Sequence, residues 1–211
     1  MKKVLSASSV RVLLVLALAL TLAAAAGCGN KKSTSGTTAP KPQGKTAKQA
    51  LPAAESALST AAPDAKLLLV QTAQAVTPTS TPVWAYLFGS PKSEKLYVVR
   101  VADGKAMPAA EYGSAKQLGT FEWAKVPNLD QWKIDSNEAY DRAYKASGAK
   151  TPPPQYVMGF LTYVPKTEQT STATPFTWAV QFDPGASGAT PNVIDVNATT
   201  GDTKVQAAAP Q

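Results

Sequence analysis

Three short patterns in the sequence carry side chains that do chemistry in other proteins. Ser147 and Lys150 have the S-x-x-K spacing, in which a lysine lies beside a nucleophilic serine. Asp195, Asn197 and Thr199 begin like a calcium loop, in which oxygen ligands alternate along the chain. Asn197-Ala198-Thr199 also has the spelling of an N-glycosylation sequon. Each pattern indicates this chemistry only if the other residues of the corresponding site are also present.

The serine and loop patterns lack the residues that complete them, and the sequon is interpreted as part of a turn. The serine pattern lacks the S-D-N and K-T-G elements. In the loop pattern, Gly201 stands at position 7 instead of 6 and Gln206 replaces the bidentate glutamate, which favours a hairpin turn. The chain has no histidine, which excludes histidine-based zinc sites, Ser-His-Asp triads and Cys-His dyads. We expect no enzymatic activity, no catalytic residue, no metal site and no cofactor.

The N-terminus indicates export. Met1 to Arg11 carries three basic residues and no acid, and the apolar run that follows is shorter than the roughly 20 residues of a membrane-spanning helix. Residues 1–27 are therefore predicted to be a signal peptide. The run ends in Ala25-Ala26-Gly27-Cys28, which resembles the lipobox of bacterial lipoproteins. The resemblance implies acylation of Cys28 and anchoring on the extracytoplasmic face of the cell membrane. The alternatives are an ordinary secreted protein and an uncleaved anchor.

The single cysteine and the distribution of charge restrict the remaining functions. Because Cys28 is the only cysteine, no intrachain disulfide and no other catalytic thiol can form. The formal charge is +7, but eight of the 21 basic residues precede residue 49, and the remainder carries 13 basic residues against all 14 acids. A nearly neutral folded part lacks the basic face that nucleic-acid binding needs. Residues 28–48 are predicted to be a flexible, lysine-rich tether, which is a spacer or adds weak attraction to anionic headgroups.

The rest of the chain indicates one unit used twice. In the first unit (49–107) a helix with Pro52 in its first turn precedes strands at Val83 to Phe88 and Leu96 to Ala102. The run Leu67 to Val76 is predicted to be a strand, with continuation of the helix as the alternative. In the second unit (133–207) a helix is predicted to begin at Asp135, with Glu138 three residues later in a pattern close to a capping box, and to end at Gly148. Three strands and a short fourth one follow it. The predicted fold class is α+β, with each unit a helix on a three-stranded antiparallel sheet.

The aromatic residues divide into two groups. Trp84, Tyr86 and Phe88 alternate with period two, as do Phe176, Trp178 and Phe182, which predicts buried sheet faces in preference to a ligand platform. The connection between the units (108–132) is also rich in aromatic residues. Its candidate partner-binding residues are Tyr112, Trp123 and Trp132, and the alternative is that they pack the connection against the sheets.

The second unit resembles the PepSY domain. The segments IDSNEAYDRAYKASG, TWAVQF and VIDVNATTGDTKV match its capped helix, its W-x-V-x-F strand and its last hairpin, and the first unit matches more loosely. The resemblance implies a non-enzymatic envelope protein, without catalytic residues, that binds another protein and inhibits or regulates a peptidase. The alternative function is a carrier or sensor of a small ligand bound in a cleft between the units.

Overall fold

A computed structural model describes residues 43–149, 153–164, 175–183 and 192–206. They form two α-helices and nine strands, in agreement with the predicted α+β class. The helices are α1 (Ala47–Leu58) and α2 (Ser136–Ser147). The strands are β1 (Lys66–Thr72), β2 (Val83–Gly89), β3 (Lys95–Ala102), β4 (Lys105–Ala106), β5 (Ala110–Ser114), β6 (Tyr156–Leu161), β7 (Thr177–Phe182), β8 (Asn192–Asn197) and β9 (Thr203–Val205). Cys28 lies outside the described residues.

Helix α1 begins earlier than the position of Pro52 predicts. Thr46 caps the helix, because its hydroxyl accepts from the amide of Gln49 (3.2 Å) while the Gln49 side chain accepts from the amide of Thr46 (3.1 Å). This reciprocal capping box satisfies two amides that an uncapped first turn leaves open. Pro52 consequently lies inside the helix and not in its first turn. Residues 46–48, predicted to be tether, belong to the folded part.

Helix α2 has the predicted bounds but not the predicted box. Asp135 is the N-cap, and Gly148 ends the helix in the left-handed conformation (φ 67°) that glycine adopts without steric cost. Glu138 does not reach back to the cap. Its carboxylate instead accepts two bonds from the Arg142 guanidinium, at 2.7 and 3.0 Å, one turn further along the helix. The predicted capping box is therefore wrong at its second member.

All nine strands join one antiparallel sheet. Its order is β4-β3-β2-β1-β6-β7-β8-β9, and β5 pairs with the same edge of β3 as β4 does. The sequence left open whether the two units share a sheet, and the pairing of β1 with β6 joins them, with Gln71 opposite Gly159. The run from Leu67 is a strand as far as Thr72, and Val76 forms a separate bridge with Tyr156. The strands of both units therefore belong to one continuous sheet.

The two faces of this sheet are covered differently. Both helices lie on one face, here called the helix face, where they bury the large core that contains the alternating aromatic residues of β2 and β7. The opposite face, here called the second face, is covered beside β1, β2 and β3 by the connection. The cluster on that face is Leu68, Leu69, Leu87, Leu96, Ala115 and Val126, with Phe121 and Trp123 packed against it. No helix within the described ranges is long and apolar enough to cross a membrane.

Candidate functional site

Two tryptophans occupy matching places at the centre of the helix face. Trp84 is 2% exposed and its Nε1 donates to the carbonyl of Lys45 (3.0 Å), whereas Trp178 is 0% exposed and its Nε1 donates to the carbonyl of Ile134 (2.9 Å). Lys45 and Ile134 each precede the N-cap of a helix by one residue. The two indole rings contact each other edge to face, with centroids 6.3 Å apart. Their burial agrees with a core role and excludes a surface platform.

The N-termini of the two helices meet above these indoles. The Asp135 carboxylate accepts from the hydroxyl of Thr46, from the amide of Lys48 (3.1 Å) and from its own helix at the amide of Ser136 (2.6 Å). The Ser136 hydroxyl in turn accepts from the amide of Ala47 (3.1 Å). One carboxylate therefore caps both helices, and a negative charge at two helix N-termini is electrostatically favourable.

This packing contradicts a ligand cleft between the units on the helix face. The space is filled by side chains, because Trp132 stacks on Phe160 (centroids 4.5 Å apart) and Phe160 stacks on Trp178 (5.0 Å). Lys48 lies on the outer side of these rings, where its Nζ donates to the carbonyl of Trp132 (2.6 Å). The alternative function of a small-ligand carrier with its site at that place loses its structural basis.

Of the three candidate partner-binding residues, Trp132 does not lie on the surface. Its side chain is 1% exposed, and its Nε1 donates to the carbonyl of Ile134 (3.0 Å), which also accepts from Trp178. An indole that contacts the rings of Phe160 and Trp178 and donates a buried hydrogen bond is part of the core. The prediction of a partner-binding role for Trp132 is therefore contradicted by its burial.

Trp123 is half-buried on the second face. Its ring stacks on Phe121, with centroids 4.5 Å apart, and its edge lies so close to Gly89 that a Cβ there would come within 2.6 Å of Cη2. The Lys66 Nζ donates to its carbonyl (2.9 Å). Trp123 thus anchors the connection on the sheet, which is the packing alternative that the sequence left open.

Tyr112 lies on the outer edge of the first unit and is 46% exposed. It is the extra residue of a β-bulge in β5, because Glu111 and Gly113 pair with the consecutive residues Tyr97 and Leu96 of β3. A bulge turns the local side chain away from the ladder and re-aims it. Met107, also 46% exposed, lies on the same edge, where its amide donates to the carbonyl of Arg100 (2.8 Å). This surface, Met107 and Tyr112, is called the bulged edge below.

The short chemical patterns have structural roles where they are described. The Ser147 hydroxyl donates to the carbonyl of Tyr144 (2.6 Å), and Lys150 lies outside the described residues. The Asn197 side-chain oxygen accepts from the amides of Thr199 (2.8 Å) and Thr200 (3.0 Å), which makes this segment a hairpin turn. No group of three or more histidine, cysteine, aspartate or glutamate residues within the described ranges could hold a metal ion.

The buried tyrosines are titratable groups with core roles. Burial raises the pKa of the Tyr86 hydroxyl far above its ordinary value, and this hydroxyl donates to the carbonyl of Ala47 (2.6 Å). Burial also raises the pKa of Tyr140 to about 12, and its hydroxyl has no hydrogen-bond partner among the described residues. Both phenols are therefore neutral near pH 7 and cannot supply an anion for chemistry there.

The comparisons with known proteins leave the family open. No family model matches the chain, and no curated protein matches it. A crystal structure of a candidate lipoprotein from Clostridium difficile is 12% identical, with coverage of 71% of this chain and 86% of that chain and a TM-score of 0.45. A likeness of this size carries no argument about fold or function.

Proposed function

We propose that this chain is a lipid-anchored protein of the extracytoplasmic membrane face that binds another envelope protein through the bulged edge. The observation that carries this function is the placement of Tyr112, an exposed aromatic residue turned outward by a bulge at the edge of the sheet. Exposed aromatic and methionine side chains are typical of protein interfaces. The helix face is filled by its own side chains, so the edge is the better candidate for a partner.

The membrane anchor in this proposal depends on the sequence. The signal peptide and the lipobox-like residues before Cys28 support acylation, and two acyl chains hold a protein at a membrane far better than one. The lysine-rich segment that follows Cys28 is the proposed spacer, and the first described helix is capped at Thr46. The Cys28 sulfur is the chain's one thiol for a thioether-linked lipid.

The proposal includes two PepSY-like repeats. Corresponding strands have corresponding registers, which supports it: Trp84 lies opposite Val101 as Trp178 lies opposite Val196. The equivalent bonds from each indole to the residue before a helix cap support it further. A peptidase is the partner class that the PepSY resemblance implies, and the protein itself is proposed to have no catalytic activity.

Two experiments test the anchor and the partner separately. Wild-type protein from native membranes should carry lipid mass on its N-terminal peptide, and Cys28→Ser should lose both the lipid and membrane retention. Partner binding is tested by co-purification after mild solubilisation. A double change of Met107→Ala and Tyr112→Ala should abolish recovery of the partner, whereas Gln74→Ala, at an exposed position in the turn after β1, should not. Equal recovery of the partner with the wild type, the double variant and Gln74→Ala would contradict the proposed surface.

A further inference from the structure

Among the described residues, the other edge of the sheet is formed by β9, and part of its backbone points away from the sheet. In the pairing with β8, the Gln206 amide donates to the carbonyl of Val193 (2.9 Å) and the carbonyl of Asp202 accepts from Asn197 (2.8 Å). Inward and outward backbone groups alternate along an antiparallel strand. Lys204 therefore also faces β8, whereas the N–H and C=O groups of Thr203 and Val205 point away from the sheet.

These outward groups have no partner within the described residues. All three residues of β9 are exposed, and Val205 leaves half of its side chain (50%) in solvent. Two N–H donors and two C=O acceptors in one row are what an extended chain needs in order to add a strand to a sheet.

The opposite edge is protected in ways that β9 is not. There, Pro108 interrupts the return strand between β4 and β5, and the bulge at Tyr112 breaks the ladder. Glu111 of β5 forms an ion pair with Lys95 (2.8 Å) across the strands. Proline, bulges and charges are the usual means of preventing strand addition at an edge. Strand β9 has neither a proline nor a bulge, and its protection is limited to its length of three residues and the single charge of Lys204.

Lys204 decides which strand can pair there. An antiparallel strand bonded to Thr203 and Val205 places its middle residue opposite Lys204, in a non-hydrogen-bonded pair where side chains are closest. If two copies of this chain paired through β9, two Lys204 side chains would lie opposite each other, and like charges in that position are destabilising. Asp195 of β8 lies opposite Lys204 on the inner side of β9. On the outer side of β9, the position opposite Lys204 is the place for an acidic residue of the partner.

We propose that β9 binds an extended segment of a partner protein by strand addition, with an acidic residue of that segment opposite Lys204. The segment forms an antiparallel pair with Thr203 and Val205. Its residues on either side of the acid lie on the helix face, next to the exposed side chain of Val205. The inference rests on the proposed function only in taking the partner to be a protein, and it uses a different edge from Tyr112.

The test uses the full chain purified from membranes and two fluorescent peptides. Both peptides alternate valine and threonine, and they differ only in a central glutamate or lysine. By fluorescence anisotropy, the glutamate peptide should bind about five-fold more tightly than the lysine peptide, because opposite charges replace like charges in a cross-strand pair. Lys204→Glu should reverse this order. Equal affinities in the wild type, or an unchanged order in the variant, would overturn the proposal.

A backbone variant tests strand addition itself. Val205→Pro removes an outward N–H that β8 does not use, so it should abolish peptide binding while melting and circular dichroism stay close to wild type. Binding as strong as that of the wild type would overturn the proposal. A dimer in sedimentation that Val205→Pro dissociates would also overturn it, because a second copy would then occupy the edge. If Val205→Pro does not fold, Lys204→Glu still decides the question.

The outcome is separable from that of the proposed function. Tyr112→Ala should leave peptide affinity unchanged, because the two edges lie at opposite ends of the sheet. Absence of peptide binding, with partner recovery still dependent on Tyr112, would refute strand addition alone. Peptide binding at β9, with partner recovery independent of Tyr112, would refute the bulged edge alone.

Discussion

Replacement of Trp178 by alanine tests the central packing of the fold. The indole is 0% exposed, and removal of a buried tryptophan side chain costs about 3 to 5 kcal/mol in free energy of unfolding. Its rings also contact Phe160 and Trp132, with centroids 5.0 and 6.0 Å apart, and each such aromatic pair adds about 0.5 to 1.5 kcal/mol. The lost hydrogen bond adds little, because the carbonyl of Ile134 keeps the indole of Trp132 as a donor. We expect a cost near the upper end, about 5 kcal/mol.

The cost is measured by urea and thermal unfolding followed by circular dichroism, because fluorescence changes when a tryptophan is removed. A loss of about 5 kcal/mol corresponds to a fall of roughly 10 to 20 °C in Tm for a domain of this size. Trp84→Ala should cost about 3 to 4 kcal/mol, since its carbonyl acceptor is only partly buried and solvent can replace the indole. Trp123→Ala should cost about 1 to 2 kcal/mol, because this side chain is only half-buried.

Trp178→Phe keeps the measurement possible if the alanine variant does not fold. Phenylalanine retains most of the ring contacts and should cost about 1 to 2 kcal/mol. A Trp178→Ala protein within about 0.5 kcal/mol of wild type would refute the buried position of this strand face, because only surface substitutions cost so little.

Three further predictions concern the helix junction, a turn and the buried phenols. Asp135→Ala should cost about 2 kcal/mol in denaturant unfolding, because one change removes the cap of α2 and an additional capping hydrogen bond of α1, whose own Thr46–Gln49 box remains. Gly201→Ala and Gly148→Ala should each cost about 1 kcal/mol because both glycines have positive φ. The cost at Gly201 should be slightly larger, because a Cβ there displaces the flexible Arg142 guanidinium, which donates to the Gly201 carbonyl. The pKa of Tyr140 is about 12, above its unfolded value of about 10, so its contribution to stability is present below pH ~10 and is lost as pH rises toward 12. Tyr140→Phe should make the alkaline loss of stability smaller without abolishing it, because burial also raises the pKa of Tyr86 and Tyr156, and the loss is measured by unfolding at fixed pH. The substitution should cost little near pH 7 because the hydroxyl has no partner among the described residues.

The sequence predicted those elements whose signals are local. Asp135 and Gly148 mark the ends of α2 within a few residues, and the alternating aromatic residues of β7 specify its buried face. Thr46 and Gln49 carry an equally local signal, the T-x-x-Q spacing of a capping box, but Pro52, which suits a first turn, predicts a later start of the helix.

Features that depend on distant residues could not be predicted from the sequence. The pairing of β1 with β6 joins residues about 90 positions apart, and no local pattern specifies it. The burial of Trp132 follows from the meeting of the two helices, which the sequence does not encode in any one segment. The exposure of Tyr112 depends on a single extra residue in the register of β5, and a shift of one residue changes the face that a side chain occupies.

The central claim, that the bulged edge binds another envelope protein, is tested most directly by site-specific photocrosslinking in intact cells. A photoreactive amino acid replaces Tyr112 in one variant and the exposed Gln74 in a second, matched variant. Irradiation should give one discrete adduct of higher mass from position 112 and none from position 74, and mass spectrometry of the adduct identifies the partner. The same adducts from both positions, or no adduct from position 112 while the protein is anchored and folded, would contradict the account.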